Sequence, residues 1–129
     1  MKYSDEEREQ FAVAQQRSRN NDLPGTIEIL SRLVAGKPRA AMFNATLANT
    51  LKAVGDITPA IEHFREAVKL VPNSEPYSLG LFHILWEQGR RDEAFDEMNR
   101  FMENANSTDY QTIVADMSAK WSDEAHRRL

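Results

Sequence analysis

Shifted along itself by 34 residues, the chain matches without a gap through three consecutive segments. They are residues 7–40 ("EREQFAVAQQRSRNNDLPGTIEILSRLVAGKPRA"), 41–74 ("AMFNATLANTLKAVGDITPAIEHFREAVKLVPNS") and 75–108 ("EPYSLGLFHILWEQGRRDEAFDEMNRFMENANST"). This period constrains the fold more than any other property of the sequence. A unit this short cannot enclose a core of its own, so each unit must stack on the next and the core must run the length of the stack.

The corresponding positions describe the unit. Val13, Leu47 and Leu81 fall together in the first half, which closes at Asn21-Asp22, Gly55-Asp56 and Gly89-Arg90. Asn and Gly tolerate the left-handed backbone that ends a helix, so the first half reads as a helix stopping there. In the second half Thr26, Ala60 and Ala94 coincide, then Leu30, Phe64 and Met98, then Leu33, Ala67 and Phe101. Steps of four and three place these on one helical face. Pro38 and Pro72 end the first two units, with Asn106 in the third. Start signals agree: Ser4 with Glu7 forms a capping-box pattern, Asp22 and Asp56 precede Pro24 and Pro59, and Ser74 precedes Pro76. The unit is helix, turn, helix. A seventh helix follows in "TDYQTIVADMSAKW", opened by Thr108 with Gln111 and carrying Tyr110, Ile113, Val114 and Met117 on one side. The final "SDEAHRRL" reads as a short capped turn, and Trp121 either seals the last unit or lies back across it.

Three gapless helix pairs with a small residue at the twentieth position and a closing proline resemble the tetratricopeptide repeat family. The middle unit carries the resemblance best, through Leu47, Ala48, Gly55, Asp56, Ala60, Phe64, Ala67 and Pro72. The resemblance implies an all-α fold, a right-handed α-solenoid of three helix-turn-helix units with a seventh capping helix, and a single domain over 1–129 with repeats 7–40, 41–74 and 75–108 and a capping helix and tail over 109–129. Some positions depart from the family pattern. Asn44 stands at the fourth position in place of Trp. Phe82 occupies a slot normally small, and "LG" at 79–80 comes two residues early, which predicts a shifted first helix in the third repeat. Gln10 and Arg17 are polar where apolar residues are usual, as suits the wet outer face of a terminal repeat.

The chemistry of the chain narrows its function by exclusion. There is no Cys, so no disulfide or thiolate metal site can form. His63, His83 and His126 lack the i, i+4 spacing of paired metal ligands, and His63 reads as an exposed, solvated residue. No nucleophile motif or phosphate-cradling Gly-rich loop is present, and the acidic runs at 5–9 and 92–97 sit in first turns of helices, where they favour the helix dipole. The expectation is a protein without enzymatic activity, cofactor or metal. A formal net charge of −4 opposes binding to nucleic acid. No run approaches the ~18 apolar residues of a membrane span, and "MKYSDEEREQF" lacks a secretory apolar core, so a cytoplasmic protein is expected.

The family resemblance implies a concave groove lined by the first helix of each pair, and that the chain is an adaptor or scaffold for a protein or peptide partner. Matched position by position, the groove takes Arg8, Phe11, Ala12, Gln15, Ser18 and Arg19 from the first repeat. The second gives Met42, Ala45, Thr46, Asn49, Lys52 and Ala53, and the third Pro76, Leu79, Gly80, His83, Trp86 and Glu87. The last helix adds Tyr110, Val114 and Met117. The carboxylate clamp of the chaperone-binding members maps to Phe11, Gln15, Thr46, Pro76 and Gly80. None of these is cationic, so that mode is not expected. The groove expected instead has an apolar centre of Phe11, Ala45, Leu79 and Trp86 flanked by polar Gln15, Asn49, Lys52 and His83, suited to an amphipathic helix or an extended apolar peptide. For Phe11, Trp86 and Met42 the alternative is packing between helices. Self-association as a homodimer through the last repeat or Trp121 is the competing expectation.

Overall fold

The computed structural model describes residues 1–127, with side chains through Lys120. The elements run α1 (Asp5–Arg19), α2 (Leu23–Gly36), α3 (Ala41–Ala53), α4 (Ile57–Leu70), α5 (Glu75–Glu87), α6 (Arg91–Asn104) and α7 (Thr108–Arg127). Helix and turn account for all regular structure among the described residues. Each helix packs on the next in sequence from α1 to α6, and α3 also touches α5, which is the contact pattern of a helical solenoid.

The turns follow from local chemistry. Asn21, Gly55 and Gly89 have φ of 61°, 83° and 75°, the left-handed conformation that reverses the chain after a first helix. Ser4 and Glu7 form a complete capping box, with the Ser4 hydroxyl accepting from Glu7 N–H at 3.0 Å and Glu7 Oε1 accepting from Ser4 N–H at 2.7 Å. Asp22 accepts from Gly25 N–H at 3.0 Å, and Ser74 accepts from Tyr77 N–H at 3.4 Å. Asp56 makes no side-chain cap bond. The start of α7 corrects the sequence reading: the cap is Ser107, whose hydroxyl accepts from Tyr110 N–H at 3.1 Å, and Thr108 is already inside the helix. The end differs as well, because residues 122–127 continue α7 as helix where a turn was expected. The Trp121 side chain lies outside the described residues.

The core runs through the stack as the period requires. Thr26, Ala60 and Ala94 are 1%, 0% and 0% exposed, which lets the two helices of each pair approach. Thr26 brings a hydroxyl into this slot and satisfies it by donating to Asp22 O at 2.8 Å. Leu30, Phe64, Met98, Leu33, Ala67 and Phe101 are all buried. Val13 is not equivalent to Leu47 and Leu81: it is 39% exposed, whereas they are 3% and 2%. Leu47 and Leu81 belong to the core that runs through the stack, whereas Val13 lies outside it on the first described helix.

The third repeat is in register, contrary to the shift expected from Phe82 and the early "LG". Helix α5 begins 34 residues after α3 and has the same length. Phe82 fits because α7 covers it: its ring meets that of Tyr110 edge to face at 5.5 Å. Gly80 fits because it is the point of closest approach to α4, where a Cβ would lie 2.6 Å from Phe64 Cε1. The Phe64 ring is buried and has little room to yield. Gly80→Ala is therefore expected to destabilise by about 1–3 kcal/mol, although Ala is the better helix former. Gly36→Ala, with nothing within 4 Å of the added Cβ, is expected to stabilise by about 0.5–1 kcal/mol. Urea denaturation of the two variants side by side checks the contrast, and two shifts of the same sign would contradict it.

Candidate partner-binding groove

Two contacts define the wall made by the first helices. Between α1 and α3 lies an open cleft of about 240 Å³ lined by Gln15, Ser18 and Arg19 on one side and Thr46 and Thr50 on the other. Between α3 and α5, Lys52 pairs with Glu87 at 3.4 Å across the helices. The two threonines donate to carbonyls of their own helix, Thr46 to Met42 O at 2.7 Å and Thr50 to Thr46 O at 2.9 Å. Their oxygens therefore meet the cleft as acceptors. Arg19 donates to Gln16 at 3.1 Å, and Arg8 sits 3.7 Å from Asp5, both near solvent.

Gln15, Asn49 and His83 occupy one position in successive repeats, 34 residues apart, and all three are exposed. Among the described residues none of them spends a polar side-chain atom on a hydrogen bond. Ala12 is exposed beside them on α1.

Several residues expected at the apolar centre of the groove are instead committed to packing. Ala45 is 5% exposed. Phe11 is half-buried with its ring 5.6 Å from that of Phe43, and Leu79 and Met42 pack partly against the core. Trp86 stacks on Phe82 at 5.9 Å, meets Phe95 edge to face at 5.5 Å and carries Arg91 over its ring at 4.8 Å. Gly80 faces Phe64, as described above. Tyr110 is completely buried and so forms no part of a surface, whereas Val114 is 39% exposed. The physical cause is common to these positions: stacked helix pairs leave room for short or polar side chains on the inner wall, and large apolar ones turn into the seams between helices. The wall that results is predominantly polar.

Two buried polar networks escape a reading of motifs. Asn44, 2% exposed, donates to Pro38 O at 3.0 Å and Ala40 O at 3.1 Å, and its Oδ1 lies 3.0 Å from His63 Nδ1. His63 is thus half-buried and hydrogen-bonded, not solvated. Ser78 donates to Glu97 at 2.6 Å and lies 2.7 Å from the Tyr110 hydroxyl, while Arg100 donates to Glu97 at 2.6 Å and to Pro72 O at 3.1 Å. Burial, with smaller effects of its neighbours, pushes the Tyr110 phenol up to about 12. The signals available in the sequence were Asn in the Trp slot and Ser78, Glu97 and Tyr110 at buried registers, but their pairing depends on three-dimensional proximity.

The architecture is the tetratricopeptide-repeat fold, a solenoid of helix pairs closed by an extra helix. Solved structures agree with it. The first TPR of Spaghetti (RPAP3) bound to the HSP90 peptide SRMEEVD superposes with a TM-score of 0.76 at 12% identity, covering 93% of this chain and 96% of that one. The Yersinia enterocolitica type III secretion chaperone SycD, in complex with a peptide of the translocator YopD, gives 0.74 at 14% identity, with 98% of each chain covered. MamA gives 0.70 at 18% identity, covering 75% of this chain, which spans 57% of the MamA chain. No family model and no curated protein matches the sequence. Among the described residues no helix is long and apolar enough to cross a membrane.

Proposed function

We propose that this chain is a protein-interaction module that holds one segment of a partner protein along the inner wall formed by α1, α3 and α5. The observation that carries the proposal is the row of Gln15, Asn49 and His83, exposed at the same position of three repeats with their polar atoms uncommitted among the described residues. Such a row suits the backbone of an extended peptide, whose amides and carbonyls repeat along its length. Thr46 and Thr50 add acceptors, and Lys52 and Glu87 give the wall a charge of each sign. The polar wall favours an extended segment over an amphipathic helix, because a helix satisfies its own backbone and needs an apolar floor. The peptides bound by the RPAP3 and SycD structures support the same use of the fold.

The test is site-specific photocrosslinking. With benzoylphenylalanine at position 15, 49 or 83, the same partner band is expected in native extract from all three sites, and none from position 62 on the outer helix α4. Crosslinks from position 62 alone would overturn the assignment. A crosslinked band at twice 14.8 kDa would make a second copy of the chain the occupant.

A further inference from the structure

A second cleft, outside the inner wall just described, lies where the first residues of the chain cross the ends of α3, α4 and α5. Its volume is about 380 Å³, and its lining includes Tyr3, Arg39, Met42, Val71 and Tyr77. Met1 and Val71 also line it, and at 71% and 42% exposed they are two of the large apolar side chains left open to solvent. An apolar surface left open beside a few convergent polar groups is the usual character of a ligand site.

The polar side chains here can all donate: a guanidinium and two phenol hydroxyls. The Arg39 guanidinium makes no ion pair or hydrogen bond among the described residues, and neither do the Tyr3 and Tyr77 hydroxyls. Among the described residues no acidic side chain lines the cleft to neutralise Arg39. Burial, and then the neighbouring Tyr3, raise the Tyr77 phenol above its ordinary value, so it stays protonated at neutral pH.

Tyr3 is held in place before any ligand arrives. Its ring lies 5.1 Å from that of Phe43 and under Lys37 Nζ at 5.2 Å. Lys37 Nζ also donates to Lys2 O at 2.7 Å and to Glu7 Oε1 at 2.9 Å. A site whose aromatic wall is already fixed loses less entropy on binding.

We infer that this cleft binds a short protein segment carrying one carboxylate next to an aromatic or large aliphatic side chain. Arg39 and the two phenol hydroxyls take the carboxylate, and Met42, Val71 and the tyrosine rings take the apolar group. Charge complementarity decides the chemistry: a guanidinium unpaired among the described residues, beside two phenols free to donate, calls for an anionic acceptor, and the apolar walls exclude a bare inorganic anion as the preferred occupant.

The experiment is a titration of the isotopically labelled full chain, followed by amide NMR, with the blocked dipeptide acetyl-Phe-Glu-amide and in parallel acetyl-Phe-Gln-amide. The Glu peptide is expected to move the amides of Tyr3, Arg39, Met42 and Tyr77 along a saturable curve, and the Gln peptide to bind about tenfold more weakly. Arg39→Gln, at an exposed loop position, is expected to remove the preference for Glu while leaving the spectrum elsewhere unchanged. Equal response to both peptides, no response up to roughly 10 mM, or a preference that survives Arg39→Gln would overturn the inference. So would movement of the same amides on diluting the protein alone, which would give the cleft to a second copy. Failure at this cleft is distinguishable from failure of the inner-wall reading, because crosslinks from positions 15, 49 and 83 do not depend on Arg39.

Discussion

Replacing Tyr110 with Ala is expected to cost about 3–5 kcal/mol and to free α7 from the solenoid. Tyr110 is 0% exposed, and its ring is clasped by Phe82 and Phe101 at 5.5 and 5.7 Å. Among the described side chains of α7, only Ile113 and Met117 besides Tyr110 pack against the core, and neither is fully buried, so Tyr110 is the largest described anchor of the helix. Urea denaturation would give the loss, and amide exchange over residues 111–120 would report the release of the helix. Exchange as slow as in the parent chain would mean that α7 is held by something else.

The more conservative Tyr110→Phe isolates the hydroxyl. It keeps the packing, deprives Ser78 of its incoming donor, and is expected to cost about 1 kcal/mol. The pH dependence separates the two as well. The folded-state pKa of about 12 lies above the ordinary 10.0. The contribution of Tyr110 is therefore fully present below pH 10 and is lost as pH rises from there through about 12. The parent chain should lose stability across this window, and Tyr110→Phe should lose less.

The second large effect is expected at Asn44. Asn44→Ala removes both donors and the acceptor, leaving Pro38 O and the His63 ring nitrogen without partners, at an expected cost of about 2–3 kcal/mol. Asn44→Asp is expected to cost more, because a buried carboxylate would face two carbonyl oxygens where an amide NH₂ now donates. Since the Asn44 amide donates twice, its Oδ1 must accept, so His63 carries a proton on Nδ1. Thermal unfolding gives the energies, and ¹⁵N chemical shifts of the His63 ring check the tautomer. A loss below about 0.5 kcal/mol for Asn44→Ala would show that the network contributes little.

The fold was legible because it is written as a period. Asn21, Gly55 and Gly89 mark the same backbone event at a fixed interval, and Ala60 and Ala94 mark the same close approach. The site was less legible, for reasons visible at single residues. A repeat position specifies a direction from the helix axis, but whether a side chain stays on that wall depends on its size. Asn49 stays on it, Trp86 folds onto Phe82 and Phe95, and Gly80 is used up against Phe64. Position along the stack is similarly invisible in a period: Val13, on the first described helix, is exposed where its counterparts Leu47 and Leu81 are buried. The cleft around Arg39 draws on the residues before the first repeat, on the loop between the first two, and on the third. No motif confined to one unit could have announced it.

The neighbour-to-neighbour packing also governs how the chain comes to be folded. Each helix packs mainly on the helix before and after it, and the contacts that skip a helix reach only into the adjoining repeat, so few contacts require distant parts of the chain to find each other. Ring-closure entropy is correspondingly small, and assembly can start at any adjoining pair and spread in both directions. The α3–α4 hairpin, flanked on both sides, is the natural seed. Opening then proceeds from the two extremities, and both candidate surfaces include residues from the N-terminal one. Capture of a partner by α1 or by the Tyr3 segment would therefore slow the loss of structure at one of the two ends where it begins, linking occupancy to the lifetime of the folded chain.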